Sequence, residues 1–357
     1  MNPSPQHTSL LHGEKALQWL EERISTSVLE EIPVFLLADS HTYKHCLPVL
    51  QQKLKSGLLH FEVIEVEAGE QSKSLENASL IWQKMLQANA GRDALLLCLG
   101  GGMITDLGGF AASVYKRGIS LVYLPTSLLA MVDAAIGGKT AIDFMGIKNP
   151  VGSFYHPDAV LLFPKFLKTL QQREFNAGLA EVKKYAYIGN ADIEHLMQVS
   201  AKENHALDQM IFTCAKLKQD IVEKDPTEQG LRKILNFGHT IGHAIESFSF
   251  GNNLPLLHGE AVAIGMFCEL WISANYFGYS TDLPKAYASW YLAHFEPWKF
   301  EKEDIPEIMK LMQQDKKNKG GRLGFVLIEK PGQPRYDLVV SPDRVAESLV
   351  AYLNLFF

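Results

Sequence analysis

Apolar and polar positions follow two regimes along this chain. In the first, short apolar runs alternate with amphipathic stretches. Ile32–Ala38 (IPVFLLA) reads as a strand ending at Asp39, and Phe61–Glu67 reads as a second. Leu75–Ala88 has helical spacing. Ala94–Leu99 (ALLLCL) is a wholly apolar strand running into glycines, and Leu121–Leu124 is another, followed by Pro125. Strands alternating with helices predict a parallel sheet with helices on both faces.

From about Phe166 the spacing becomes that of helices. Phe175–Ile188, Ile193–Ser200, Leu207–Lys224, Gly230–Phe248, His258–Phe277 and Ile305–Gln314 all place apolar residues every three or four positions. Arg322–Ile328 reads as a short late strand. The expectation is an α/β chain: a Rossmann-like parallel-sheet domain over 1–165, then an all-helical domain over 166–357.

Composition narrows the function. The 357 residues are 47% hydrophobic and 21% charged, enough to bury a large core without wholesale disorder. A net charge of −6 argues against nucleic-acid or membrane-surface binding through bulk charge. Met1–Leu11 has no long apolar run, so no signal peptide is expected. The apolar stretch Ala261–Phe277 is interrupted by Glu269 and reads as a buried helix rather than a membrane span. Cys46, Cys98, Cys214 and Cys268 are scattered and suit a reducing compartment. Together these point to a cytoplasmic protein.

Three groups of residues carry candidate chemistry. The first is Leu99-Gly100-Gly101-Gly102-Met103-Ile104-Thr105-Asp106, a glycine turn between a strand and a helix read over Leu107–Tyr115. Such a turn lets the backbone approach a phosphate at a helix N-terminus. Thr105 stands where the usual dinucleotide fingerprint needs its third glycine, so a nucleotide site and a plain tight turn both remain open.

The second group is His239 and His243, one helical turn apart, with His258 and Glu181 further along the chain. Two histidines and a carboxylate make a zinc site with open positions. Spacing nominates His239 and His243 as the ligand pair, while the shortness of His-x-x-x-His weighs toward a polar helix face. The third group is cationic: Lys139, Lys148, Lys184, Lys218, Arg232 and Lys316-Lys317. Lys139 and Lys148 sit in apolar, glycine-rich sequence, which suggests a partly buried site for phosphate or carboxylate.

These pieces occur together and in order. GGGMITDLGGF (100–110), RGISLVYLPTSLLAMVDAAIGGKT (117–140), IKNPVGSFYHP (147–157), FLKTLQQREFNAGLAEVKKY (166–185), EQGLRKILNFGHTIGHAIE (228–246) and LLHGEAVAIGM (256–266) resemble the 3-dehydroquinate synthase family of sugar-phosphate cyclases, and EAGEQSKSLE (67–76) also fits. The resemblance implies metal ligands at Glu181, His239 and His258, with zinc or cobalt bound, and makes His243 a substrate-side residue. It implies NAD over Gly101, Gly102, Met103 and Asp106. Asp39 would take an adenosine ribose hydroxyl, with Glu70 and Lys73 on the same half of the cofactor. Thr126, Ser127, Phe166 and Thr169, with Lys139 and Lys148, match further cofactor contacts. Substrate contacts match Asp133, Lys139, Lys148, Asn149, Lys184, Lys218, Glu228, Arg232, Asn236 and His243, with one of Lys316 and Lys317. Arg117 matches a residue reaching the phosphate from a neighbouring subunit, which implies a homodimer.

By the same resemblance the substrate is 3-deoxy-D-arabino-heptulosonate 7-phosphate. Oxidation at C5, loss of phosphate, re-reduction, ring opening and an aldol closure follow, with NAD recycled. Thr105, Ala134, Ala135, Asp143 and Pro226 depart from the family pattern, and none removes a charged or metal-binding group that this chemistry uses. A cyclase acting on sedoheptulose or glucose phosphate would leave Lys218 and Arg232 without a carboxylate to hold. A polyol dehydrogenase of the same architecture would release NADH, and a non-catalytic NAD-binding protein would not need the intact ligand set.

Overall fold

The computed structural model describes residues 8–54, 61–190, 192–200, 204–251, 255–318 and 324–357. The chain divides into two compact units, Met1–Gln171 with Ile211–Gln219, and Gln172–Met210 with Asp220–Phe357.

The first unit is built on a six-stranded parallel sheet in the order β1-β8-β5-β4-β2-β3. The strands are β1 (Ser9–His12), β2 (Val34–Asp39), β3 (Glu62–Val66), β4 (Leu95–Gly100), β5 (Ser120–Pro125) and β8 (Ala159–Leu162). Residues of β2 and β4 are buried throughout, because helices cover both faces and every side chain of a central strand meets one of them. The helices are α1 (Gly13–Leu29), α2 (Ser40–His45), α3 (Leu47–Gln51), α4 (Leu75–Gln87) and α5 (Gly102–Val114). The four strands and the α4 helix read from the sequence are present within two residues at each end. α5 starts a turn earlier than Leu107, so Gly102 and Met103 form its first turn. An antiparallel ribbon, β6 (Lys139–Phe144) and β7 (Ile147–Phe154), adds to this unit. Six of the first seven residues of β7 are exposed in an unbroken run. A strand without a buried face shows no alternation, so this ribbon had no sequence signal.

The second unit is mainly helical: α6 (Gln172–Ile188), α7 (Asp192–Ser200), α8 (Asn204–Lys224), α9 (His239–Ser249), α10 (His258–Phe277), α11 (Asp282–His294), α12 (Ile305–Asn318) and α13 (Pro342–Phe356). The middle of α8 groups with the first unit. The late strand is β9 (Phe325–Lys330), and it pairs antiparallel with β10 (Gln333–Leu338), so the helical unit also holds one hairpin.

The helix expected over Gly230–Phe248 is broken. Leu231–Asn236 is a 3₁₀ turn, and α9 begins only at His239 after Gly238 at φ 80°. Packing against α10 imposes the break. A Cβ added at Gly265 would lie 2.0 Å from the Gly238 carbonyl oxygen, and one at Gly242 would lie 3.0 Å from Val262 Cα. The left-handed backbone at Gly238 suits glycine, and the close approach excludes side chains on both helices. No helix among the described residues is long and apolar enough to cross a membrane.

Candidate active site

In the first unit, Asp39, Gly100 and Pro125 end adjacent strands, with Ala38 registered on Leu99 and Gly100 on Pro125. Asp39, the α5 N-terminus and the Thr126–Ser127 turn therefore share the C-terminal edge of the sheet, where open parallel sheets bind ligands. Thr126 N–H donates to the Gly100 carbonyl at 3.0 Å. Both backbone donors to Asp39, from His41 and Thr42, fall on Oδ1 at 2.9 Å. Lys73 is buried; its Nζ donates to Asp106 Oδ2 at 2.6 Å and lies 3.6 Å from exposed Glu70. Thr105 is buried and its hydroxyl donates to the Gly102 carbonyl at 3.0 Å, so this departure fits inside α5. Phe166 and Thr169 sit in the 3₁₀ turn Pro164–Thr169, which is linked internally by Thr169 Oγ1 donating to the Phe166 carbonyl.

Lys218, from the α8 segment of this unit, donates to the Asp133 carbonyl at 2.8 Å and pairs with Asp133 Oδ2 at 2.9 Å. Lys139 and Lys148 lie on the β6–β7 ribbon and are exposed rather than partly buried. Asn149 takes φ 55°, and its N–H donates to Asp143 Oδ1 at 2.8 Å, so the unusual aspartate has a positioning role here. Arg117 is exposed at φ 69°. Left-handed backbone at a non-glycine residue costs on the order of 1 kcal/mol and clusters at functional sites; Glu228, at φ 60°, shares it.

The second unit brings the metal candidates together. Donor nitrogens of His239, His243 and His258 all lie within 4.8 Å of one another. Glu181 from α6 is fully buried beside them, with Oε1 3.5 Å from Nε2 of both His239 and His258. Lys184, one turn on, contacts Glu181 Oε2. Ligand atoms around a tetrahedral zinc with bonds of about 2.0–2.1 Å stand roughly 3.3 Å apart. Glu181 Oε1 therefore stands near the ligand-to-ligand distance from both His239 and His258, and these residues fit a metal ion.

The His239 tautomer agrees. His239 Nδ1 is 3.0 Å from the Phe237 carbonyl, which can only accept, so Nδ1 carries the proton and Nε2 offers its lone pair. His258 Nδ1 is 3.1 Å from Glu246 Oε2, a carboxylate–histidine arrangement that orients metal ligands. Burial holds the His239 pKa well below its ordinary value, assisted by Lys184. Burial also opposes charge on His258, but hydrogen bonds to Glu181 and Glu246 outweigh it and push the pKa up to about 10.

In the same unit, Arg232 is buried and its Nη1 donates to the Pro226 carbonyl at 2.6 Å. Asn236 Nδ2 donates to Glu228 Oε1 at 2.6 Å. Asp225 accepts backbone N–H groups from Gln229, Gly230 and Arg232 at 2.7–3.0 Å. Burial alone would raise its pKa, and these three bonds lower it instead. Lys316 and Lys317 lie on α12, and their side chains are outside the described residues.

Glu246, Asp225 and Glu269 were not among the sequence candidates. Glu246 and Glu269 did leave a signal: each is an acid within an apolar helical run, where an unpaired charge would be costly.

Comparison with known proteins now decides the family. Residues 63–177 match the 3-dehydroquinate synthase N-terminal model, and residues 178–318 match the C-terminal model. The chain belongs to the 3-dehydroquinate synthase family. Curated members are similar over most of their length. The 3-dehydroquinate synthase of Parabacteroides distasonis is 38% identical over 92% of this chain and 94% of its own, and that of Acidithiobacillus ferrooxidans 39% over 91% and 90%. Among solved structures, 2-epi-5-epi-valiolone synthase from Streptomyces hygroscopicus, with NAD+ and Zn2+ bound, shares the fold at TM-score 0.83 and 22% identity over 99% of both chains. NADH-dependent butanol dehydrogenase A from Thermotoga maritima shares it at TM-score 0.66 and 14% identity, covering 98% of both chains. The fold is therefore shared by proteins named as synthases and as dehydrogenases, and the family match distinguishes them.

Proposed function

We propose that this chain is a 3-dehydroquinate synthase. It converts 3-deoxy-D-arabino-heptulosonate 7-phosphate to 3-dehydroquinate and phosphate, a step of aromatic amino acid biosynthesis by the shikimate pathway. The observation that carries this reading is the intact Glu181, His239 and His258 donor set inside a chain matched to the family from residue 63 to residue 318.

When bound, NAD supplies a recyclable hydride acceptor, and a zinc or cobalt ion supplies a Lewis acid for oxygen at the oxidised carbon. Glu181, His239 and His258 would hold the metal. Gly101, Gly102, Met103 and Asp106 at the α5 N-terminus would face NAD, with Asp39, Glu70, Lys73, Thr126, Ser127, Phe166 and Thr169 around it. Lys139, Asn149, Lys184 and His243 match the family's phosphate contacts. Lys218 and Arg232 match the family's carboxylate contacts, and a guanidinium grips a carboxylate in a bidentate fork. Asp133, which pairs with Lys218, and Glu228, which accepts from Asn236, would orient these groups rather than act as nucleophiles.

The protein would act as a cytoplasmic homodimer, with Arg117 reaching the partner's phosphate site. Four buried cysteines, none in a disulfide, agree with a reducing compartment, and exposed Phe144, Met145, Ile147 and Phe154 on the β6–β7 ribbon give a surface for a second copy. Steady turnover should release one phosphate per substrate with no net NADH absorbance. Stoichiometric NADH accumulation would instead assign a dehydrogenase.

A further inference from the structure

We propose that Arg173 is a positioning residue for the metal site, a role that rests on the metal reading above. Arg173 is the second residue of α6 and lies eight positions before Glu181. Arg173, Ala177 and Glu181 are spaced by four and share one face of α6. That face meets the first three residues of α10 as a ladder.

At its far rung, Arg173 forks onto Glu260, with Nε to Oε1 and Nη2 to Oε2 both 2.7 Å. The same Nη2 donates to the Pro255 carbonyl at 2.7 Å, fixing the approach to α10. At the middle rung the Ala177 backbone meets Gly259, where an added Cβ would lie 2.0 Å from the Ala177 carbonyl oxygen. At the near rung Glu181 Oε1 stands 3.5 Å from His258 Nε2.

Glu260 also accepts the Leu257 N–H at 2.8 Å, closing the turn on which His258 stands. The Arg173 fork therefore sets both the register of α6 on α10 and the aim of His258. Arg173 is about 12 Å along the helix axis from Glu181, too far to touch a metal ion there, so its influence is geometric. A lysine would keep the charge and lose the fork, since an ammonium is a point charge without planar geometry.

The test measures zinc affinity of the full-length protein by competition with a chromogenic chelator, alongside thermal melting of the metal-free form. Arg173→Ala should weaken zinc binding on the order of tenfold to a hundredfold, as loss of a ligand-orienting contact does. Arg173→Lys should fall between it and the wild type. Arg173→Ala combined with Glu260→Gln should be no weaker than the worse single variant, because both remove one fork. If Arg173→Ala fails to fold, Arg173→Lys carries the comparison alone. Unchanged zinc affinity with only a lowered melting temperature would make Arg173 an ordinary structural ion pair and overturn the proposal. A wild-type protein that binds no zinc would overturn the metal reading itself.

Discussion

Replacing Gly265 by alanine places a Cβ 2.0 Å from the Gly238 carbonyl oxygen and 2.7 Å from the Gly242 backbone nitrogen. Ordinary contact begins at 3.4 Å, so α10 falls about 1.4 Å short of room for one methyl group. Both blocking atoms are backbone and cannot rotate away. The helices must part, and the shift separates His239 and His243 on α9 from His258 on α10. A zinc site tolerates ligand displacements of about 0.2 Å, several times less than this shift. Zinc affinity should fall by at least about a hundredfold, the upper end of what disturbed ligand orientation costs. Overpacking should also cost on the order of 1–3 kcal/mol of stability. Gly242→Ala is the graded control. Its Cβ would meet Val262 and Ala261 backbone atoms at 3.0–3.2 Å, a few tenths too close, and should cost roughly tenfold in affinity. Chelator competition on the full-length protein ranks the three. Wild-type zinc affinity in a folded Gly265→Ala protein would refute the idea that the α9–α10 contact sets the site.

Three further outcomes follow from single side chains. Glu246→Gln should weaken zinc binding by roughly tenfold to a hundredfold, because the His258 Nδ1 proton loses a charged acceptor; equal affinity by chelator competition would remove Glu246 from the site. Arg232→Ala should lower kcat/KM for the heptulosonate phosphate by about tenfold to several hundredfold and leave sedoheptulose 7-phosphate little affected, whereas equal losses on both would exclude a carboxylate role. Glu269 is fully buried, accepts the Gly238 N–H at 2.7 Å, and has its pKa pushed up to about 8 by burial. An acid with a raised folded-state pKa loses stability as pH rises from its ordinary range, near 4.5, through the folded value. Melting temperature should therefore drop for the wild type between about pH 4.5 and pH 8 and stay flatter for Glu269→Gln, which keeps an acceptor without a charge; parallel curves would contradict the shift.

The sequence made the sheet legible because β2 and β4 are buried on both faces, and continuous apolar runs leave little else to build. It could not reveal the β6–β7 ribbon, whose exposed strand carries no alternation, or β1 and β8, each four residues long. The break at Gly238 escaped for a different reason. Apolar spacing runs unbroken through 230–248, and only the carbonyl of Gly238 pressed on Gly265 shows why the helix restarts. Spacing likewise offered His239 and His243, one turn apart. The structure adds His258 and Glu181 from separate helices, contacts that no local period encodes. The family's motifs pointed to Glu181, His239 and His258 together, which explains why resemblance reached further than periodicity here.

Substrate choice bears most directly on the proposed activity. Purified protein with NAD and zinc should be given the heptulosonate 7-phosphate, sedoheptulose 7-phosphate and glucose 6-phosphate separately, with phosphate release followed. Buried Arg232 and the Lys218–Asp133 pair predict release from the carboxylate-bearing substrate, at a kcat/KM at least about tenfold above either of the others. Faster release from sedoheptulose 7-phosphate or glucose 6-phosphate would contradict assignment as a 3-dehydroquinate synthase.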